Sequence, residues 1–204
     1  MSKMTVKLNN KHYGLREQAI EFPMMSVLSF VYPCNAKCPH CPYTNSNIRD
    51  EFKDQPFMSE EVFKKIADES GLYQAFLRIS GGGEPMLHPQ ATELLVYAKK
   101  TGCKIGLITN GSKFTAENSR ALLEAGVDMI EFSVDAKDSV VYEKVRKGLK
   151  WNVLVSNVIQ MLAIREELGG KCQSKIVASG VNQKDVDIDD VADTVIKVLV
   201  IKEL

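Results

Sequence analysis

The chain has 204 residues, of which 45% are hydrophobic and 25% charged, and 26 basic residues balance 26 acidic ones. This composition suits a globular protein with one sizeable core, and the zero net charge gives no basic surface for nucleic acid or an anionic membrane. Because the N-terminus has no signal-peptide pattern and no stretch approaches the ~18 apolar residues of a membrane span, we expect a cytoplasmic protein with reduced cysteines.

Strands and helices alternate along the chain after a polar lead-in at residues 1–24. The β-branched and aromatic run at 26–32 predicts a strand that ends at Pro33, and Ser59 is a candidate N-cap for a helix with Val62, Phe63 and Ile66 on its apolar face. The same patterns predict strands at 75–80, 104–109, 129–134 and 174–179, and helices at 88–101, 115–125, 153–168 and from 188 to about 198. Such alternation predicts an α/β fold with a parallel sheet: five βα units, too few for a closed eight-stranded barrel, in one domain at 25–204.

Polar and glycine residues follow the ends of these strands. They include Ser80 to Glu84, Thr109 to Gly111, Ser133 to Asp135, and Ser179 with Gly180, and the first strand ends just before Cys34. In barrel-like α/β folds the carboxyl ends of the strands share one rim, where the chemistry collects. The sequence therefore predicts a shared site at this rim of an open half barrel.

The C-terminal run from Val195 to Ile201 is apolar on nearly every side and stops at Lys202. A helix with that surface is normally covered by other elements of the protein. We therefore expect further sequence beyond this core domain, or a partner subunit or self-association through the apolar end.

Three of the five cysteines, Cys34, Cys38 and Cys41, lie in one short loop after the first predicted strand. Cys103 and Cys172 are isolated near the starts of other strands, at the opposite rim, where we expect them to be packing residues. Structural zinc sites usually have four ligands, whereas three thiolates without a fourth fit an iron–sulfur cluster with one open iron. A cluster is the favoured interpretation, and zinc is the alternative.

The spacing Cys-x-x-x-Cys-x-x-Cys directly after the first strand resembles the hallmark of the radical SAM superfamily, and the resemblance extends over roughly residues 25 to 195. It implies a six-fold βα partial barrel, of which this sequence shows five clear repeats. It also implies a [4Fe–4S] cluster whose open iron is chelated by S-adenosylmethionine. Reductive cleavage of that molecule would yield methionine and a 5′-deoxyadenosyl radical that abstracts hydrogen from a substrate.

The resemblance also assigns roles around the bound S-adenosylmethionine. Gly82, Gly83 and Glu84 resemble the motif that receives the methionine amino group, and a glycine turn with a capping glutamate is the plainer alternative. Ser133 and Asp135 match ribose-binding positions, although either could cap the following helix.

Three further contacts follow from the same resemblance. Asn110 is expected to line the pocket or to shape its turn, and Arg146 matches a position that often pairs with the methionine carboxylate, with a solvated helix face as the alternative. His40 takes the place of an aromatic residue near the adenine, and its contact is expected through the backbone. Weaker adenine contacts are expected around 177–181.

These assignments predict an enzyme that also needs a reductant such as a flavodoxin or ferredoxin. The loop style of the chain resembles the branch that often carries a C-terminal extension with auxiliary clusters and modifies peptides, proteins or sugars. The substrate itself stays open. A non-catalytic or truncated module that binds the cluster and S-adenosylmethionine is the rival interpretation, and a zinc-binding structural protein is a third.

Overall fold

Five parallel strands form one sheet in the computed structural model, which describes residues 22–44 and 46–180 together with 189, 191 and 192. The strands are β1 (Met25–Leu28), β2 (Phe76–Ile79), β3 (Lys104–Thr109), β4 (Met129–Ser133) and β5 (Lys175–Ser179). Each strand pairs in parallel with the one that follows it in the chain, so the sheet order is the sequence order. This topology confirms the predicted open half barrel of five βα units.

Helices connect the strands. They are α1 (Ser46–Glu51), α2 (Glu60–Leu72), α3 (Ala91–Lys100), α4 (Ala116–Glu124), α5 (Ser139–Val145) and α6 (Trp151–Leu168), with 3-10 turns at Pro42–Thr44, Pro85–Leu87 and Gly169–Lys171. Ser59 caps α2 as expected, because its hydroxyl accepts a hydrogen bond from the Val62 N–H at 3.3 Å. Within the described ranges, no helix is long and apolar enough to cross a bilayer.

The described helices pack on one face of the sheet. Alternate strand residues such as Leu77, Ile79, Ile105 and Leu107 are completely buried on the helix-covered face. Successive residues of a strand point to opposite faces, so Phe76 and Arg78, which alternate with Leu77 and Ile79, lie on the opposite, concave face. Residues in register on neighbouring parallel strands share a face. The hydrophobic core therefore lies between the sheet and the helices, on the side away from the concave face.

Two predicted boundaries were wrong by more than two residues. The first strand ends at Leu28 rather than at residue 32, because the next residues pair with a different segment: the Met58 N–H donates to Phe30 O at 3.1 Å and the Tyr32 N–H to Pro56 O at 2.9 Å. The third helix begins at Ala91 rather than at His88. His88 instead follows the 3-10 turn, where its ring stacks on Phe30 with centroids 4.4 Å apart.

Several predictions fall outside the described residues. These are most of the 1–24 lead-in, the helix from 188 to 198 apart from three residues, the apolar run at 195–201, and Val181. They stay predictions.

Candidate active site

The three cysteines of the loop line one cavity of about 300 Å³ at the carboxyl ends of the strands. The remaining lining residues come from the cysteine loop, the glycine turn after β2, the ends of β3 and β4, and the end of α5: Ala36, His40, Pro42, Tyr43, Thr44, Gly81, Gly82, Gly83, Glu84, Ile108, Thr109, Asn110, Ser133 and Arg146. Of the site residues predicted individually, all but Asp135 line the cavity, and residues 177–180, where weaker adenine contacts were expected, do not. The ends of β2, β3 and β4 therefore meet at a single pocket, and the end of β5 does not contribute to its lining.

Backbone hydrogen bonds shape the cysteine loop into two consecutive turns. The Cys41 N–H donates to Cys38 O at 3.0 Å and the Thr44 N–H to Cys41 O at 3.0 Å, while the Thr44 hydroxyl donates to Cys38 O at 2.9 Å. The Ala36 N–H donates to Cys34 Sγ at 3.4 Å. Burial raises the pKa of the Cys34 and Cys38 thiols, so a bound cation is needed to hold them as thiolates.

The donor set fits an iron–sulfur cluster better than a single zinc ion. Among the described residues, no three His, Cys, Asp or Glu side chains converge closely enough to hold one metal ion. Cys103 is buried elsewhere, where its thiol donates to Ala98 O at 3.0 Å, and Cys172 is buried as well. Three thiolates around one pocket, with no fourth, match a four-iron cluster that keeps one iron open.

The glycine turn after β2 holds the backbone of the cysteine loop at close range. A Cβ added to Gly82 would lie 2.4 Å from Val31 O, and one added to Gly83 would lie 2.0 Å from Pro33 O. Gly82 also has a φ of +58°, which glycine adopts without strain. The Glu84 N–H then donates to Pro33 O at 2.9 Å. These glycines are therefore required by the packing of the two loops, whatever they contact in the pocket.

Glu84 is almost completely buried, and its carboxyl group accepts three hydrogen bonds. Its Oε1 accepts from the Thr109 hydroxyl at 2.7 Å and from the Met86 N–H at 3.1 Å, and its Oε2 accepts from the Asn110 N–H at 2.7 Å. Burial raises the pKa of this carboxyl, and these three hydrogen bonds oppose the rise. Glu84 thus caps the 3-10 turn, as the plainer interpretation held, and in addition ties the ends of β2 and β3 together.

Asn110 also combines the two roles considered from the sequence. Its side chain accepts from the Ser112 N–H at 2.9 Å, which shapes the turn after β3, and donates to Asn35 Oδ1 at 2.9 Å. The Asn35 side chain donates in turn to the Ser112 hydroxyl at 2.8 Å. This ring of hydrogen bonds joins the cysteine loop to the end of β3.

A buried ion pair stands beside the cysteines. Arg146 pairs with Asp135 through Nη2 and Oδ2, and Arg146 Nη1 lies 3.7 Å from Cys38 Sγ. His40 Nε2 lies 3.7 Å from the same Asp135 oxygen. Burial and the Arg146 guanidinium lower the pKa of His40, whereas Asp135 opposes that shift. Arg146 is therefore no solvated surface residue, and it aims positive charge at a cysteine sulfur.

The alternative that Ser133 or Asp135 caps the next helix is wrong. The N-cap of α5 is Asp138, whose side chain accepts from the Val141 N–H at 2.9 Å. Ser133 lines the cavity at the end of β4, and Asp135 has a φ of +50°, a left-handed conformation that is uncommon outside glycine. Ser133 therefore presents its side chain to the cavity, whereas the Asp135 carboxylate is engaged by Arg146 beside it.

No individual role in the site was predicted for Thr109, Asn35 or Thr44. Thr109 and Thr44 line the cavity, and Asn35 supports Asn110. Thr109 stands at a strand end beside Asn110, so its position could have identified it. Asn35 and Thr44 lie in or next to the cysteine loop, but nothing in the sequence marks their partners.

Known proteins were compared with the chain as a whole. The profile of the radical SAM superfamily matches residues 28–195. A Pyrococcus furiosus protein described as a tungsten-containing aldehyde ferredoxin oxidoreductase cofactor-modifying protein is 30% identical over 138 residues, which is 67% of this chain and 37% of that protein. The mycofactocin maturase MftC of Mycobacterium tuberculosis is 28% identical over 169 residues, or 83% of this chain and 42% of MftC. The chain thus spans about two fifths of these relatives.

Solved structures share the fold. Streptococcus suis SuiB bound to S-adenosylmethionine superimposes with a TM-score of 0.71 at 16% identity, covering 94% of this chain and 41% of SuiB. BtrN in complex with AdoMet and 2-DOIA gives a TM-score of 0.53 at 17% identity, covering 76% of this chain and 55% of BtrN. The family profile covers most of the chain, and this family uses a [4Fe–4S] cluster and S-adenosylmethionine. The chain belongs to the radical SAM superfamily.

Proposed function

We propose that this chain is the core of a radical SAM enzyme that holds a [4Fe–4S] cluster through Cys34, Cys38 and Cys41. The single observation that carries the proposal is the cavity in which these three thiols meet the glycine turn and the polar ends of β3 and β4. When bound, the cluster supplies the electron that cleaves S-adenosylmethionine to methionine and a 5′-deoxyadenosyl radical. The protein's own residues hold the reactants and keep water away.

The proposed S-adenosylmethionine contacts are the glycine and polar residues around the thiols, namely His40, Gly82, Gly83, Glu84, Asn110, Ser133, Asp135 and Arg146. Glu84 acts mainly by fixing the ends of β2 and β3, because both of its oxygens are already occupied. Ser133 presents a hydroxyl to the cavity, which suits a sugar hydroxyl. Arg146 places its guanidinium between Asp135 and Cys38 at the wall of the cavity, which suits pairing with a ligand carboxylate.

A peptide or protein is the substrate class that the relatives favour, ahead of a sugar. MftC is named as a maturase, and SuiB has been crystallised with the precursor peptide SuiA. A flavodoxin or ferredoxin is the proposed electron donor. The matched region is about two fifths of the length of these relatives, so most of each relative lies outside the part that resembles this chain.

The proposal is tested by electron paramagnetic resonance of the anaerobically reconstituted, dithionite-reduced protein, with and without S-adenosylmethionine. A four-iron signal that changes when S-adenosylmethionine is added supports an open iron occupied by it. A four-iron signal indifferent to S-adenosylmethionine, or no such signal, contradicts the proposal.

A non-catalytic module is the second candidate, since the chain spans only about two fifths of its curated relatives. It is separated from the enzyme by the products formed under a strong reductant. Release of 5′-deoxyadenosine supports the enzyme. Binding of S-adenosylmethionine without release of 5′-deoxyadenosine supports the module.

A further inference from the structure

The concave face of the sheet carries an ion pair that the proposed chemistry does not use. Arg78 on β2 donates from Nη2 to Oε2 of Glu131 on β4 at 3.1 Å. The two strands are not neighbours, because β3 lies between them. Arg78 is in register with Gly106, which has no side chain, so its long side chain can cross β3.

The layers above and below this pair differ in character. Below it, Phe76 and Met129 lie over Gly106, since a Cβ added there would stand 2.5 Å from Phe76 Cζ and 3.2 Å from Met129 Cε. Above it, Ser133 lines the thiol cavity two residues further along β4 on the same face as Glu131. Two residues along a strand span roughly 6.6 Å. The ion pair therefore lies directly below the cavity that is lined by the three cysteines, one layer of side chains further down the sheet.

Arg78 retains most of its hydrogen-bonding capacity. A guanidinium has five N–H donors, and Glu131 is the only partner that Arg78 has among the described residues. The Arg78 side chain is 36% exposed, whereas that of Glu131 is only 15% exposed. Glu131 thus fixes the orientation of Arg78, whose side chain stays partly exposed in the groove formed by the concave face of the sheet.

Stability alone gives a poor reason for this pair. A partly exposed ion pair contributes little to stability, and an apolar pair of the same size would extend the Phe76–Met129 layer at no desolvation cost. The edge of the groove is apolar as well: Met25 and Val27 on β1 are exposed and are in register with Phe76 and Arg78. Lys104 and Lys175 also lie on this face, in register with Phe76 and Met129, and both are exposed. A groove that combines one oriented guanidinium and two further cations with apolar neighbours matches a ligand that carries anionic groups on an apolar stem.

We propose that Arg78, oriented by Glu131, binds a carboxylate of the substrate and that the substrate is an acidic peptide lying in this groove. The inference rests on the proposed function and deepens it by naming the recognised group. A carboxylate accepts two parallel hydrogen bonds from a guanidinium, which a neutral amide cannot do. An acidic side chain and a free C-terminus offer the same chemistry, so both must be tested.

The test uses three matched synthetic peptides and the cluster-loaded protein with S-adenosylmethionine bound. The sequences are acetyl-Gly-Val-Glu-Val-Gly-amide, the same peptide with Gln for Glu, and the Gln peptide with a free C-terminal carboxylate. Isothermal titration calorimetry is expected to show at least one carboxylate peptide binding at least about tenfold more tightly than the neutral one. Which one does so identifies the source of the carboxylate.

Variants then locate the effect. Arg78→Gln is expected to abolish the preference for a carboxylate, and Arg78→Lys, which is less disruptive, to reduce it, because a lysine cannot form the two-pronged contact. Glu131→Gln is expected to tighten carboxylate binding, because it removes a competing negative charge. Lys65→Gln on the exposed surface of α2 is the charge-matched control and is expected to change nothing.

Three results would overturn the proposal: equal or undetectable binding of all three peptides, a preference that survives Arg78→Gln, or weaker carboxylate binding in Glu131→Gln. Electron paramagnetic resonance of the same protein preparation distinguishes a failure of this proposal from a failure of the proposed function. A signal that responds to S-adenosylmethionine alongside any of these results leaves the enzyme proposal standing and removes only the role of Arg78. A wild-type signal that does not respond contradicts the enzyme proposal, while the peptide preference is still measured.

Discussion

The buried pair of Arg146 and Asp135 gives the sharpest prediction about stability. Replacing Arg146 with Met keeps the side-chain length but removes the guanidinium that pairs with the Asp135 carboxylate, which is 1% exposed. Removing one partner of a buried pair costs about 3–5 kcal/mol. We expect the lower end, about 3 kcal/mol, because the Arg146 side chain is 14% exposed and His40 remains 3.7 Å from Asp135. This is a large share of the roughly 5–15 kcal/mol that stabilises a typical domain.

The assay is urea unfolding of the cluster-free chain under reducing conditions at neutral pH, followed by far-ultraviolet circular dichroism. Asp135→Asn combined with Arg146→Met should recover about 2 kcal/mol relative to Arg146→Met alone, because no charge is then left buried. Arg120→Met is the control, since Arg120 pairs on the surface with Glu124 and Glu167, and it should cost less than about 1 kcal/mol. The reasoning fails if Arg146→Met costs no more than Arg120→Met, or if the double variant is no more stable than Arg146→Met.

Three further predictions concern the site. Cys38→Ala should abolish cluster assembly while Cys103→Ala leaves it intact, as measured by iron and sulfide content after anaerobic reconstitution; equal losses would contradict the ligand assignment. Glu84→Ala should lower the affinity for S-adenosylmethionine at least about tenfold with iron content unchanged, because the Thr109 hydroxyl and the Asn110 N–H lose their acceptor. An unchanged dissociation constant in calorimetry would limit Glu84 to a role in folding. Gly83→Ala should displace the cysteine loop and reduce cluster loading, because the added Cβ would lie 2.0 Å from a backbone oxygen. The control Gly170→Ala, whose added Cβ has nothing within 4 Å, should load the cluster normally. Similar iron content in the two variants would argue against the tight fit at Gly83.

The fold was largely predictable because its signals are local. Strand and helix patterns depend on residues a few positions apart, and parallel strands joined by helices have few topologies to choose from. The prediction of β3 at Lys104–Thr109 was right to the residue. The first strand was drawn too long because its last residues keep a strand-like sequence while bonding to residues 56–58, a long-range choice that the local pattern does not contain.

The chemistry of the site was predictable only where residue type and spacing carry it. Three cysteines within eight residues are enough to predict a metal centre. The pairing of Arg146 with Asp135 depends instead on a left-handed turn at Asp135 and on the packing of α5, and neither leaves a mark on the sequence. The same holds for Arg78 and Glu131, which meet across β3, where the residue in register with Arg78 is a glycine.

The cysteine loop and the glycine turn form one unit rather than two adjacent motifs. The backbone of residues 31–33 packs where Gly82 and Gly83 have no side chains, and the Glu84 N–H completes the contact at Pro33 O. Glu84 in turn carries the end of β3 through the Asn110 N–H, and Asn110 returns to the cysteine loop through Asn35. Any shift of the thiols therefore moves the surface on which we expect S-adenosylmethionine to lie. In the proposed arrangement S-adenosylmethionine would contact both the cluster and the strand ends, and this closed circuit of contacts would fix the distance between those two surfaces before it binds.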